Sequence, residues 1–172
     1  MDKRTSPCHN VISVRRLLIR SLLCLEAGLL VALVALVAIY PIDESDVGPS
    51  IGDHWHASYE IWVCGQRLPH LQFWPGGVHT HDDGIVHSHP GQSFEEGKGA
   101  SLASWFEYGG GRLSSDSILI PGTGITLEDG NPCPDGSAGV LQITVNGERL
   151  RRWSNYIPQH EDQIVIVFGP TD

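Results

Sequence analysis

Nine histidines occur in this 172-residue chain, and seven of them lie between His54 and His89. Six form His-x-His pairs. His54 and His56 stand in DHWH, and His79 with His81 and His87 with His89 stand in GGVHTHDDGIVHSHP, Gly76 to Pro90. Residues two apart on a strand project to the same face, ~6.6 Å apart along the chain. An H-x-H pair can therefore aim two imidazoles at one ion. Imidazole ligates zinc, copper, nickel and iron alike, so the ligand type alone does not choose the metal. Six histidines exceed the four ligands of a closed zinc site. Either two ions are held, or some of these rings support the ligands. The competing reading is a polar or pH-responsive surface, since imidazoles become cations below their ordinary pKa of ~6.5. His9, His70 and His160 stand apart and read as side chains making ordinary hydrogen bonds.

Strands must position these rings. In DHWHASYEIWVCG, residues Trp55, Ala57, Tyr59, Ile61 and Val63 alternate with His54, His56, Ser58, Glu60, Trp62 and Cys64. One face reads as core and the other carries the histidines. VHTHDDGIVHSHP reads as a hairpin turning at Asp82, Asp83 and Gly84. A three-residue loop with Gly84 left-handed sets His79 opposite His87, gathers all four imidazoles on one face and puts Val78, Thr80, Val86 and Ser88 on the other. A two-residue Asp83-Gly84 loop instead turns His87 and His89 away from His79 and His81. Asp53, Glu60, Asp82 and Asp83 are candidate carboxylate ligands or partners for the ring N–H groups, although Asp-Asp-Gly also suits a turn for its own sake.

The remaining elements give a mainly β (α+β) domain with one short helix. In SFEEGKGASLASWFEYGGG, Ser93 and Glu96 resemble a capping box. Leu102, Trp105 and Phe106 form an apolar stripe there, Gly109 to Gly111 stop the helix, and Gly97 and Gly99 delay its regular part to about Ala100. SILIPG and a turn-rich loop EDGNPCPDGS, which carries Cys133, come after the helix; VLQITVNGERLRR reads as a hairpin around Asn146-Gly147, and QIVIVFG as an apolar closing strand.

Leu22 to Tyr40 is an apolar run of about the ~20 residues a bilayer core requires, broken only by Glu26 near its start. The expected organisation is a basic cytoplasmic tail (1–20), a single N-terminal transmembrane helix (21–40), a Pro/Gly-bearing linker (41–52) and a domain (53–172). The first forty residues carry five basic and two acidic groups, and the remainder six basic and eighteen acidic, net +3 and −12. The positive-inside bias leaves the N-terminus cytoplasmic and the C-terminal domain extracytoplasmic, at the cell membrane. A cleaved signal peptide is the alternative, but the run is long for one and lacks a good A-x-A site. An acidic outer domain disfavours nucleic acid and can concentrate cations. Together with the outer compartment and a single methionine, the histidines are compatible with Cu(II) or Zn(II) as cofactor. Cys64 and Cys133 are the two cysteines of that domain, read either as a disulfide or with Cys64 as a thiolate ligand beside the histidines.

DHWHASYEIWVCG, HTHDDGIVHSHP, VNGE and the closing IVIVFG together resemble a group of uncharacterised bacterial proteins with one N-terminal span and an extracytoplasmic domain. The resemblance covers nearly all of Asp53 to Gly169 and implies that architecture but no activity. VHTH is also similar to the H-x-H of cupins, but the Glu that should follow is replaced by Asp82-Asp83-Gly84, so that fold is not expected. The C-terminal ITVNGERL…YIPQHEDQIVIVFG is similar to the end of β-grasp domains, over two strands and a turn. No H-E-x-x-H, G-x-S-x-G, phosphate-cradling glycine loop or C-x-x-C occurs. Three functions compete: a tethered metal-binding domain; a metalloenzyme with three histidines, a bound water and Glu60 or Asp83 as base; and an accessory subunit of a membrane complex, whose span would pack through Ala27, Gly28, Ala32 and Ala35.

Overall fold

The computed structural model describes Glu26, Leu29 and residues 48–171. Two compact units divide the chain between residues 43 and 44. Glu26 and Leu29 are helical, and among the described residues no helix is long and apolar enough to cross a membrane. The expected tail, the span and most of the linker lie outside the described residues. Of that linker, residues 48–52 pack onto the domain: Gly97 N–H donates to the Pro49 carbonyl at 2.9 Å, and Ile51 N–H to Glu96 at 2.8 Å.

The described residues of the second unit form ten strands and one α-helix. In chain order they are β1 (Trp55–Val63), β2 (Gln66–Arg67), β3 (Val78–His79), β4 (Ile85–Ser88), α1 (Leu102–Tyr108), β5 (Arg112–Leu113), β6 (Ser117–Leu119), β7 (Thr126–Glu128), β8 (Val140–Val145), β9 (Glu148–Arg149) and β10 (Gln163–Gly169). The main sheet runs β3-β4-β1-β10-β8-β9, with β2 paired to β1, and β5-β6-β7 form a second, three-stranded sheet. Strands β1 and β10 are parallel, which joins the two ends of the domain at the centre of the sheet. The remaining pairs are antiparallel. This agrees with the mainly β expectation.

Alternation places the core on one face. Ala57, Tyr59 and Ile61 of β1, Leu141, Ile143 and Val145 of β8, and Ile164, Ile166 and Phe168 of β10 are buried against Leu102, Trp105 and Phe106 of α1. Each large apolar side chain so buried contributes roughly 1.5–3 kcal/mol. Asn146 and Gly147 both have positive φ, 53° and 83°, and close the β8–β9 hairpin as the Asn-Gly signal predicts.

The helix differs from expectation at its start. Ser93–Glu95 and Gly97–Ala100 are 3-10 turns, and the regular helix begins only after Ser101, whose hydroxyl accepts the Ser104 N–H at 3.3 Å. The expected Ser93/Glu96 box is therefore not its cap. Gly97 takes φ +51° and a Cβ on Gly99 would meet the Phe94 carbonyl, so the chain turns tightly here before it can run as a helix.

Cys64 and Cys133 form a disulfide with Cα atoms 5.6 Å apart, which rules out Cys64 as a thiolate ligand. The bond lies just past the C-terminal end of β1, whereas His54 and His56 lie at its beginning.

Candidate metal centre

Three neighbouring strands and the residues that flank them bring the histidines together. In β3 and β4, His79 pairs with His87 and Val78 with Ser88; in β4 and β1, His87 pairs with His56 and Trp55 with Ser88. The turn is the three-residue form, with Asp82 at φ 63° and Gly84 at φ 76°. A Cβ on Gly84 would also sit 2.8 Å from His70 Nε2, so position and conformation both call for glycine. Val78, Thr80, Val86 and Ser88 are buried on the core side, which leaves the imidazoles on the outer face.

The rings gather in two groups, His54–His56–His89 and His79–His81–His87, each with ligand nitrogens within 4.8 Å of one another. Pairs 54/56 and 79/81 stay together as their spacing predicts. Pair 87/89 splits, one ring to each group. The reason is geometric: strands in a sheet lie ~4.8 Å apart while residues two apart on one strand are ~6.6 Å apart, so a cross-strand neighbour is the nearer partner. The His87 ring lies 4.7 Å from His56 and 5.3 Å from His79, its two cross-strand partners, and 5.5 Å from His89.

Within the groups, His79 Nε2 and His81 Nε2 are 2.9 Å apart, and His56 Nε2 and His89 Nε2 are 3.1 Å apart. Two ligands of a tetrahedral ion with bonds near 2.05 Å are separated by roughly 3.3 Å, so these nitrogens are already close to a shared coordination sphere. His87 Nε2 meets Asp83 Oδ2 at 2.8 Å, and Asp83 Oδ1 accepts the Ile85 N–H at 3.0 Å. A carboxylate on one ring nitrogen, leaving the other free, is how ligating histidines are oriented. His87 Nδ1 is indeed buried without a partner, as is His79 Nδ1.

Burial, followed by the charges of His54, His79, His56 and His87, pushes His89 down to about 4. Burial first and neighbouring histidines second also lower His56 and His79; for His79 the Gly76 backbone and Asp83 pull the other way, the former without reaching hydrogen-bond geometry at Nδ1. These rings are neutral near pH 7, the form that binds metal. Because their folded values lie below the unfolded ~6.5, the unfolded chain takes up more protons, and stability falls as pH drops from about 6.5 toward 4. Thermal melts of the metal-free chain should show a lower Tm near pH 5 than near pH 7; a flat profile would contradict this environment.

Anchors hold the hairpin from behind. Trp74 Nε1–H donates to the Val78 carbonyl at 3.1 Å and Trp105 Nε1–H to the His79 carbonyl at 3.2 Å. Buried Glu95 accepts N–H groups from Gly77 at 2.6 Å, Gly91 at 2.8 Å and Gln92 at 3.0 Å, tying together the two chain segments that flank the hairpin. A Cβ on Gly77 would press 2.4 Å from Glu95 Oε2. Burial alone would raise the Glu95 carboxyl, but these three N–H groups outweigh it and hold the pKa low. Its stabilisation is thus present above the unfolded carboxyl value and lost as pH falls through the folded one. Glu95→Gln should cost about 2 kcal/mol in denaturant unfolding at neutral pH, and an unchanged midpoint would show that the clamp is dispensable. Sequence reasoning missed Glu95 because a Glu after Ser-Phe looks like part of a helix start.

Other candidates fall elsewhere. Glu60 is engaged with Trp62 Nε1 at 2.9 Å and Arg67 at 3.1 Å and belongs to neither histidine group. Asp82 supplies the turn and is also outside both groups. Asp53 accepts the Ser50 N–H at 2.8 Å. His160 Nδ1 accepts the His56 N–H at 3.1 Å, the ordinary role expected of it, and His70 approaches Arg67 and the Asp82 carbonyl, each at 3.4 Å. Comparison with family models, curated proteins and solved structures finds no match for this chain.

Proposed function

We propose that this chain is a membrane-tethered, extracytoplasmic domain that binds Cu(II) or Zn(II), with His54, His56 and His89 and His79, His81 and His87 as ligands and Asp83 orienting His87. The observation that carries this reading is the convergence of six histidines, on three strands and the residues that flank them, into two groups of closely spaced nitrogens. Buried imidazole nitrogens without partners support it, because an uncompensated buried polar atom is costly. The extracytoplasmic placement is supported by the charge asymmetry around the apolar run and by the Cys64–Cys133 disulfide, which belongs to an oxidising compartment.

A second reading, a metal-dependent enzyme, draws on one specific feature. Each group offers three histidines, the ligand number of a site that keeps one position for water or substrate. Of the two candidate bases, Asp83 contacts the ligand ring His87 itself, whereas Glu60 is committed to Arg67 and Trp62.

Elemental analysis of the full chain, purified in mild detergent without a histidine tag or chelator, tests the proposal. One or two equivalents of copper or zinc are expected. A folded protein that carries no transition metal and takes none up on dialysis would refute it.

A further inference from the structure

Phe73 is a large apolar side chain left 59% exposed beside the histidines. Its neighbour explains where it sits. Trp74 is buried, lies 5.4 Å from the Trp105 ring and donates its indole N–H to the Val78 carbonyl. With residue 74 tied to the hairpin from the core side, the Phe73 ring is stacked on His81, centroids 5.4 Å apart and planes within 16°, and stands edge-on to His79 at 6.1 Å. His81 is the least secured ring of its group. It follows β3 rather than lying in it, it is exposed, and its side-chain hydrogen-bond contact among the described residues is the His79 ring at 2.9 Å. His87, by contrast, is held by Asp83 at 2.8 Å, and His79 is buried within β3.

From this geometry we infer that Phe73 is a positioning residue of the metal centre: its ring acts through His81 and keeps that imidazole turned toward His79 and His87, where a transition-metal dication is bound. The inference rests on the metal-binding reading above. Two effects give the contact its weight. Aromatic pairs with centroids ~4.5–7 Å apart attract one another beyond the area they bury, so a stacked His81 has less rotamer freedom left to lose when an ion arrives. An imidazole that ligates a dication also gains positive charge, which the negative face of the Phe73 ring attracts. The stack is therefore stronger with the ion than without it, and a contact that differs between the two states is what shifts the binding equilibrium. Phe73 does for exposed His81 what Asp83 does for His87.

Calorimetric titration of the full chain with Zn(II), wild type against variants at this position, tests the assignment. Phe73→Ala should weaken binding at one site about 3- to 10-fold, with stoichiometry and the Tm of the metal-free chain unchanged. Phe73→Tyr, which keeps the ring face, should restore wild-type affinity; Phe73→Leu, which keeps apolar bulk alone, should not. In the metal-free chain, nuclear magnetic resonance should find the His81 ring protons shifted upfield in the wild type and in Phe73→Tyr but not in Phe73→Ala. Wild-type affinity in either Phe73→Ala or Phe73→Leu would overturn the positioning role while leaving metal binding intact, and a lowered metal-free Tm in Phe73→Ala would assign the effect to folding instead. A wild type that binds no zinc would refute the metal-binding reading itself, and the role of Phe73 with it.

Discussion

The double substitution His79→Ala, His81→Ala removes one of two bound ions and weakens metal binding at that group by more than ~100-fold, since even partners of ligating residues are worth 10–100-fold. Both rings belong to the His79–His81–His87 group, and their Nε2 atoms, 2.9 Å apart, form its tightest pair. Folding is largely spared. Val78 and Thr80 hold the strand to the core from the other face, and the Trp105 bond goes to the His79 backbone, which the substitution keeps. His70→Ala, on a histidine outside both groups, serves as the control and leaves binding unchanged. Calorimetric titration with Zn(II) reads the difference. An unaltered stoichiometry and affinity in the double variant would mean that the hairpin rings do not bind metal.

Cys64→Ser lowers stability by about 4 kcal/mol, the chain-entropy value for a closed loop of this length. The bond spans a sequence separation of 69 and is the one disulfide among the described residues. The loss is expected only against the oxidised wild type; with both proteins reduced, their denaturant midpoints should coincide. Metal content should not change, because the disulfide sits at the opposite end of β1 from His54 and His56. An equal loss under reducing conditions would assign the effect to local packing, and a loss of metal would contradict the independence of the histidine site from the disulfide.

Much of this arrangement is legible from residue order, and the rest fails for identifiable reasons. Alternation along β1 separates Ala57, Tyr59 and Ile61 from the histidine face without reference to any other element, because the side-chain period of a strand is fixed. The hairpin turn was open between two registers, since Asp-Asp-Gly serves a two-residue and a three-residue loop equally well. Burial decides it: only the longer loop sends Val78, Thr80, Val86 and Ser88 inward together. The grouping of the rings was beyond sequence. His87 and His89 look like one chelating pair until β4 is found between β3 and β1, where each ring has a nearer neighbour across the sheet. Equally hidden were the parallel pairing of β1 with β10 and the bond from Gly77 N–H to Glu95, both made between residues distant in sequence. The capping signal at Ser93 was local and misleading, because Gly97 and Gly99 bend the chain before a helix can form.

Preorganisation links fold to site. The β3 strand is two residues long and at the sheet edge, yet its carbonyls are tied by two indoles and the chain around the hairpin by one carboxylate. Such anchoring fixes rings in place before an ion arrives and reduces the ordering cost of binding.

X-ray absorption spectroscopy at the edge of the bound metal tests the central claim most directly. The account predicts a first shell of nitrogen and oxygen alone, with outer-shell imidazole scattering that fits three histidines per ion and no sulfur. That pattern should fade in the His79→Ala, His81→Ala variant as half of the metal is lost. A sulfur scatterer, or a shell of oxygen without imidazole, would contradict the assignment of these six histidines as ligands.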